Sequence, residues 1–437
     1  MEQYEILNLV SRGLFVLLGV CFFYQIVYLF VPLLLRERPH GPVKQNRYAV
    51  LIAARNEEAV LPYLLESIRA QDYPNALVSV YVVADNCTDR TADVAAAGGA
   101  IVYRRLDTEH VGKGYALDYL LQRIEAAGTL SQYDAFLVFD ADNLLCPDYI
   151  TNINRVCSDG YEAFCGFRNS KNFAKNWLSA GSALWYLHDS AHLNASRMLL
   201  GNMCAVSGTG FGFTRELLAR CGGWKFFTLT EDIEFNSFCA ANGVKIGFSR
   251  GAMVYDEQPE TLRQSWRQRE RWVQGGVQVS LRYTGRLLRG LGRRRTAWAC
   301  FETLTLGLWG ALLGAVSFGV SLAWVMVSHG ARGALPVLAL GAAQAYGSLF
   351  FVGLLTTVSC WKRIDATPAQ KIGYCFTFPL FLFTYIPIAL GALVRKRQWK
   401  PIEHHVAVPV GAMRRWRKIK MRRSLTLPHF DIQTELY

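Results

Sequence analysis

The chain predicts an α/β fold, a mainly parallel sheet with helices on both faces, held between transmembrane α-helices on either side. Two observations carry this. Apolar residues are bunched near both ends into segments long enough to cross a bilayer, and between them short apolar runs alternate with helix-like sequence.

The first element lies in residues 1–36. Residues 13–35, GLFVLLGVCFFYQIVYLFVPLLL, carry no ionisable side chain except tyrosine and cysteine, and they exceed the ~20 residues that span hydrocarbon. A cleaved signal peptide fits less well, because Glu2 and Glu5 with only Arg12 replace its basic leader and the apolar stretch is too long.

Residues 37–258 form the soluble domain. After a linker containing Pro39, Gly41 and Pro42, the run Tyr48–Ala54 is apolar without alternation, which implies a strand buried on both faces. Helix-like sequence over Glu57–Gln71 leads to a second strand at Val78–Val83, then to a helix opened by Thr88 or Asp89. A short third strand at Ala100–Tyr103, a helix over Lys113–Ala127 and a fourth strand at Ala135–Phe139 follow. Ligands of such sheets sit beyond the carboxyl ends of strands, so Asp85 and the pair Asp140 and Asp142 share one rim. Short strands near 205–213, 244–248 and 252–255 mix with helices and are expected to supply the acceptor side.

Residues 259–295 read as amphipathic interface helices, residues 296–394 as two or three membrane spans near 300–328, 334–360 and 372–394, and residues 395–437 as a basic tail. One early and three late crossings would strand that tail on the side opposite the domain, against the positive-inside bias. The segment 372–394, with Pro379 and Pro387, is therefore expected to be re-entrant or interfacial.

The formal net charge of +13 is carried mostly by Arg263–Arg295 and Arg395–Arg423, both next to membrane segments. Anionic lipid headgroups are the expected partner and nucleic acid is not. Eleven scattered cysteines with no CxxC read as small buried hydrophobes of a reducing compartment. His404-His405 reads as solvated or interfacial rather than metal-binding.

Three motifs carry chemistry. Asp140-Ala141-Asp142 ends an apolar strand, and a carboxylate pair there needs a cation to offset its repulsion, which suits a divalent ion bridging phosphate oxygens. Thr230-Glu231-Asp232 opens a helix; Thr230 can be its cap, while a carboxylate at that position can take a proton from a sugar hydroxyl. Gln268-Arg269-Glu270-Arg271-Trp272 lies on a basic amphipathic helix that either faces headgroups or holds a leaving diphosphate beside an aromatic platform. Asp85-Asn86-Cys87-Thr88-Asp89 reads as a turn and cap or as a nucleoside contact. His110-Val111-Gly112-Lys113-Gly114 reads as loop punctuation or a phosphate site.

In this order the motifs resemble the processive, membrane-embedded branch of glycosyltransferase family 2, which contains cellulose, chitin, hyaluronan and poly-N-acetylglucosamine synthases. The resemblance implies a GT-A fold and inverting transfer from a UDP-sugar, with Mg2+ or Mn2+. The acceptor is a growing β-linked polysaccharide exported through the late helices, or a lipid or lipid-linked acceptor receiving one sugar; export or accessory subunits are possible partners. It implies that Ala54, Arg55 and Glu57 line the nucleotide site, Asp85 binds uridine with Lys113 near it, Asp140 lies by the diphosphate and Asp142 holds the metal. Gly208 and Thr209 approach the acceptor, Asp232 beside Glu231 is the base, and Gln268, Arg269, Arg271 and Trp272 serve diphosphate and acceptor. The sequence departs from the family at Ala84, where an acid is usual, leaving Asp85 without that neighbour. A bacterial plasma membrane with the catalytic domain in the cytosol is the expected location.

Overall fold

The computed structural model describes residues 2–37, 39–394 and 406. His404, His405 and the rest of the basic tail lie outside the described residues.

Eight strands form one sheet: β1 Tyr48–Ala54, β2 Val78–Asp85, β3 Ile101–Arg105, β4 Ala135–Asp140, β5 Leu144–Leu145, β6 Ala163–Ser170, β7 Phe211–Thr214 and β8 Ile246–Asp256, in the order β3-β2-β1-β4-β7-β6-β8-β5. The β3-β2-β1-β4 half is wholly parallel, as the alternating sequence implied. The other half is mixed, because β7 is antiparallel to both β4 and β6 while β6 and β8 run parallel. Registers place Ala53 beside Asp140 and Ala54 beside Ala84, so the carboxyl ends of β1, β2 and β4 finish level and Asp85 and Asp140 share a rim.

Helices α2 Leu61–Arg69, α3 Thr91–Ala97, α4 Lys113–Ala126 and α5 Tyr149–Ser158 flank this half of the chain. α2 starts four residues later than expected, with Pro62 in its first turn, a place where a missing N–H costs nothing. β6 was not anticipated: Arg168 and Asn169 interrupt its apolar pattern. β8 is one strand where two short ones were expected, with residues 250–252 bulging between the pairs Gly166–Ser249 and Phe167–Met253.

Beyond β6 come α6 Trp177–His188, a π-helical stretch Asp189–Asn194, α7 Ala195–Leu200, α8 Arg215–Cys221, α9 Glu231–Asn242, α10 Leu262–Leu291 and α11 Ala297–Leu306. Membrane-length helices are α1 Glu2–Leu34, α12 Leu308–Ser359 and the pair α13 Pro368–Phe383 and α14 Tyr385–Val394. The 52 residues of α12 are interrupted at Gly330 (φ 65°, ψ 173°), a conformation open to glycine, so it is two helices joined across a kink. α1 packs along it, with Ser11 bonded to Ser321 at 3.0 Å, and Tyr24 bonded to Thr305 of α11 at 3.3 Å.

α13 and α14 remain against the catalytic domain at both ends. Gln370 and Tyr374 donate to the Ala174 carbonyl at 3.2 and 3.3 Å, Arg269 donates to Phe381 and Thr384, and Gln274 donates to the Ala392 carbonyl at 3.3 Å. Val406 also lies on the domain: its carbonyl accepts from Lys171 at 3.2 Å and its N–H donates to Glu257 at 2.9 Å.

Candidate active site

One cavity of about 800 Å³ runs from the rim of the sheet to the membrane-proximal helices. At the sheet end it is lined by Ala54, Arg55, Glu57 and Asp85. Asn56 and Asn86 follow β1 and β2 with φ of 58° and 52°, a region asparagine tolerates better than other side-chain-bearing residues. Asn56 Oδ1 accepts the Thr88 N–H at 2.8 Å and Asn86 Nδ2 donates to the Asp107 carbonyl at 2.8 Å, which fixes both loops. Asp85 does not stand alone: Arg105 of β3 reaches its Oδ1 at 2.6 Å. Burial raises the Asp85 pKa, and the Arg105 guanidinium opposes that shift.

Lys113, at the start of α4, is ion-paired with Asp140 Oδ1 and donates to the Gly208 carbonyl at 2.7 Å. It ties the tip of β4 to the loop opposite. Asp142 lines the same wall, its Oδ2 accepting the Glu257 N–H at 2.8 Å and lying 3.9 Å from Lys171. Among the described residues no three His, Cys, Asp or Glu side chains gather closely enough to hold an ion unaided. One or two hard carboxylate oxygens opening on a cavity still fit Mg2+ or Mn2+, which draw the rest of their shell from water and substrate phosphates.

Asp232 and Glu231 sit in the first turn of α9 and both line the cavity. Gly208 lies beside Asp232: its φ of 81° suits glycine, and a Cβ there would make an ordinary contact with Asp232 Oδ2 at 3.6 Å. Burial raises the pKa of both acids, and burial with the neighbouring Asp232 charge lifts Glu231 to about 7. Thr230 does not cap α9 with its side chain. Glu234 accepts the Phe227 and Thr228 N–H groups, both at 3.0 Å, and braces the preceding aromatic loop.

Gln268, Arg271 and Trp272 line the cavity from α10, and Arg271 donates to the Leu229 carbonyl at 3.2 Å. Arg269 does not join them. It is buried on the other side of α10, donating to Thr384 at 2.7 Å and to the Phe381 carbonyl at 3.1 Å, with its guanidinium over the Phe381 and Tyr385 rings. The expected contact between Arg269 and a diphosphate is corrected: residues two apart on a helix point about 200° away from each other, so Arg269 and Arg271 cannot share a wall. Thr209 is likewise a brace and not a lining residue, accepting the Asp140 N–H at 3.0 Å and bonding Asn143.

Arg168 and Asp256 are among the cavity residues that had not been anticipated. Arg168 of β6 pairs with Asp256, donates to the Ser207 carbonyl and stacks 3.6 Å over Tyr186, whose ring meets Trp272 edge-on at 6.2 Å. Burial raises the Asp256 pKa to about 6 against the pull of Arg168. An arginine inside a strand otherwise made of buried residues needs a buried acid; Asp256 was readable as that partner only once β6 was recognised.

Carboxylates on a parallel rim thus face a cationic aromatic helix across one cavity. The chain belongs to the glycosyltransferase like family 2, whose family model matches residues 45–275. It is 26% identical over 352 residues to the probable glycosyltransferase YdaM of Bacillus subtilis (strain 168), covering 78% of this chain and 79% of that one. The β-monoglucosyldiacylglycerol synthase of Nostoc sp. (strain PCC 7120 / SAG 25.82 / UTEX 2576) is 29% identical over 261 residues, 57% of this chain and 53% of its own. The poly-β-1,6-N-acetyl-D-glucosamine synthase of Staphylococcus aureus (strain COL) is 27% identical over 237 residues, 53% and 55% of the two chains. The match thus spans about half the length of these last two. Among solved structures, the mannosyltransferase PcManGT from Pyrobaculum calidifontis superposes with a TM-score of 0.57 at 18% identity, over 88% of this chain and 99% of its own, a likeness of fold.

Proposed function

We propose that this glycosyltransferase moves a hexosyl unit from a UDP-sugar, with inversion, to a hydroxyl presented at the membrane face. The observation that carries the reading is that Asp85, Asp140, Asp142, Asp232 and Arg271 all line one cavity. Asp85, Arg55 and Glu57 bind the nucleoside, and Lys113 and Arg271 disperse charge on the diphosphate. Asp142 holds Mg2+ or Mn2+, which when bound neutralises the phosphate oxygens. Asp232 removes the acceptor proton as the new bond forms, with Glu231 the coupled acid beside it.

A second reading, extension of a β-linked polysaccharide with export, is favoured by Gln268, Arg271 and Trp272, which present the Gln-x-x-Arg-Trp pattern to the cavity beside Tyr186. Incubation with radiolabelled UDP-glucose or UDP-N-acetylglucosamine and mass analysis separates the two. A product fixed at one added sugar excludes polymerisation, and absence of UDP release from both donors refutes the transferase assignment for these sugars.

For topology we propose three crossings, made by α1 and the two halves of α12, with α13 and α14 re-entrant against the domain. The contacts of Ala392 and Val406 with the domain support this, because they bring the chain after α14 back to the catalytic side. That side is the cytosol of a bacterial plasma membrane by the positive-inside rule.

A further inference from the structure

The cavity continues past Asp232. It runs between α10 and α11 to the junction where α11 gives way to the first half of α12, an arm that donor chemistry does not occupy. Its walls include Val273 and Val277 of α10 together with Leu304, Leu306, Leu308 and Trp309. A sugar chain stripped of water needs a hydrogen-bond partner for most of its hydroxyls, whereas this lining suits hydrocarbon.

The arm ends where the bilayer begins. Gly307 breaks the helix with φ −90° and ψ −156°; a Cβ there would come within 3.1 Å of Ser280 Oγ and of the Thr303 carbonyl. At Gly310 a Cβ would come within 1.7 Å of the Thr305 carbonyl, so the main chain folds tightly at this junction. Trp309, 43% exposed, stands at the mouth with its indole N–H donated to Thr284 Oγ1 at 2.7 Å. Just beyond it, Val316 and Phe318 are 54% and 65% exposed on a membrane-length helix, so this surface faces acyl chains.

Ser280, Thr284 and Thr303 also line the arm, and one charged knot interrupts it. Arg197 meets Glu302 at 3.3 Å and Asp189 at 4.0 Å, and all three line the cavity. Two acids neutralise the guanidinium, so an anionic headgroup gains little there, while ester and hydroxyl oxygens find N–H donors.

We propose that the arm holds an acyl chain of a neutral glycerolipid, which enters sideways at the Gly307 junction and offers its free hydroxyl to Asp232 as the acceptor. This rests on the transferase reading above. Asp232 takes the hydroxyl proton and the lipid oxygen bonds to the anomeric carbon. The bond from that carbon to the diphosphate breaks, and its electron pair departs with UDP.

Gly276 of α10 lines the cavity, and a Cβ at this position meets nothing within 4 Å, so a side chain can start there without a clash and Gly276→Leu adds bulk to the arm. The test uses the full chain in nanodiscs with dioleoylglycerol or a β-linked oligosaccharide as acceptor, a labelled UDP-sugar, and UDP affinity measured in parallel. The wild type is expected to yield dioleoylglycerol carrying one sugar. Gly276→Leu should lower that yield by about tenfold or more with UDP affinity within about twofold, and Gly276→Ala should keep most of it. Transfer to the oligosaccharide but not to the lipid, or equal lipid transfer by Gly276→Leu and wild type, overturns this inference and leaves the transferase reading standing. Loss of UDP binding and of donor cleavage in the wild type overturns both.

Discussion

Replacing Asp232 by asparagine keeps its shape and removes its basicity. A positioned general base contributes about 10²- to 10⁴-fold, so Asp232→Asn should lower kcat by about 10³-fold, or about 4 kcal/mol of barrier. UDP affinity should change by less than about threefold, because Asp232 sits in α9 beside Gly208 while Asp85 and its Arg105 partner hold the opposite end of the cavity. Stability gives an independent check. Burial raises the folded pKa of Asp232, so above its unfolded pKa the charged carboxylate opposes folding, and the neutral amide should leave Tm at pH 8 unchanged or higher. In the wild type, kcat/KM should fall as the pair takes up protons. Because burial raises the Asp232 pKa, the decline should begin above the ~3.9 of an ordinary aspartate. The assays are coupled UDP release, UDP calorimetry and thermal unfolding. A variant keeping more than about a tenth of wild-type kcat, or a wild-type profile flat down to the ~3.9 of an ordinary aspartate, would refute the assignment.

Arg271→Met should raise donor KM by roughly 10- to 100-fold, whereas Arg269→Met should leave donor KM nearly unchanged and lower Tm, since it loses its bonds to Phe381 and Thr384; initial rates beside thermal unfolding separate the two. Lys113→Met leaves Asp140 without its cation, and both donor affinity and kcat should fall by about tenfold or more, measured by UDP calorimetry and UDP release. Chelation with EDTA should abolish UDP release and added Mn2+ should restore it; full activity after chelation would remove the metal from Asp142.

Much of the fold was legible where one signal dominated. β1, β2 and β4 read directly as continuous apolar runs, and their parallel pairing follows from the helices between them. β6 was hidden because its last turns carry Arg168 and Asn169, whose partners, Asp256 and the Arg363 carbonyl, are distant in sequence. Asp232 and Asp142 were singled out by their positions at a helix start and beyond a strand end, and both line the cavity. Arg269 was misplaced because membership of a motif was given more weight than helical phase. For α13 and α14, charge bias and two prolines pointed to a re-entrant or interfacial segment; the two helices bond to Ala174 and Arg269, and together they are also long and apolar enough to cross a membrane. The apolar arm was beyond sequence, since its walls come from three helices whose residues are otherwise ordinary membrane-interface residues.

The hold on Val406 is made by its main-chain N–H and carbonyl alone, beside the wall that carries Asp142. At position 406 such a clasp is written in no particular side chain; the side chains that make it are those of Lys171 and Glu257. Any residue except proline supplies both main-chain atoms there. Val406→Pro would remove the N–H given to Glu257 and leave both of those side chains in place, so it loosens the fastening without altering the wall that holds it.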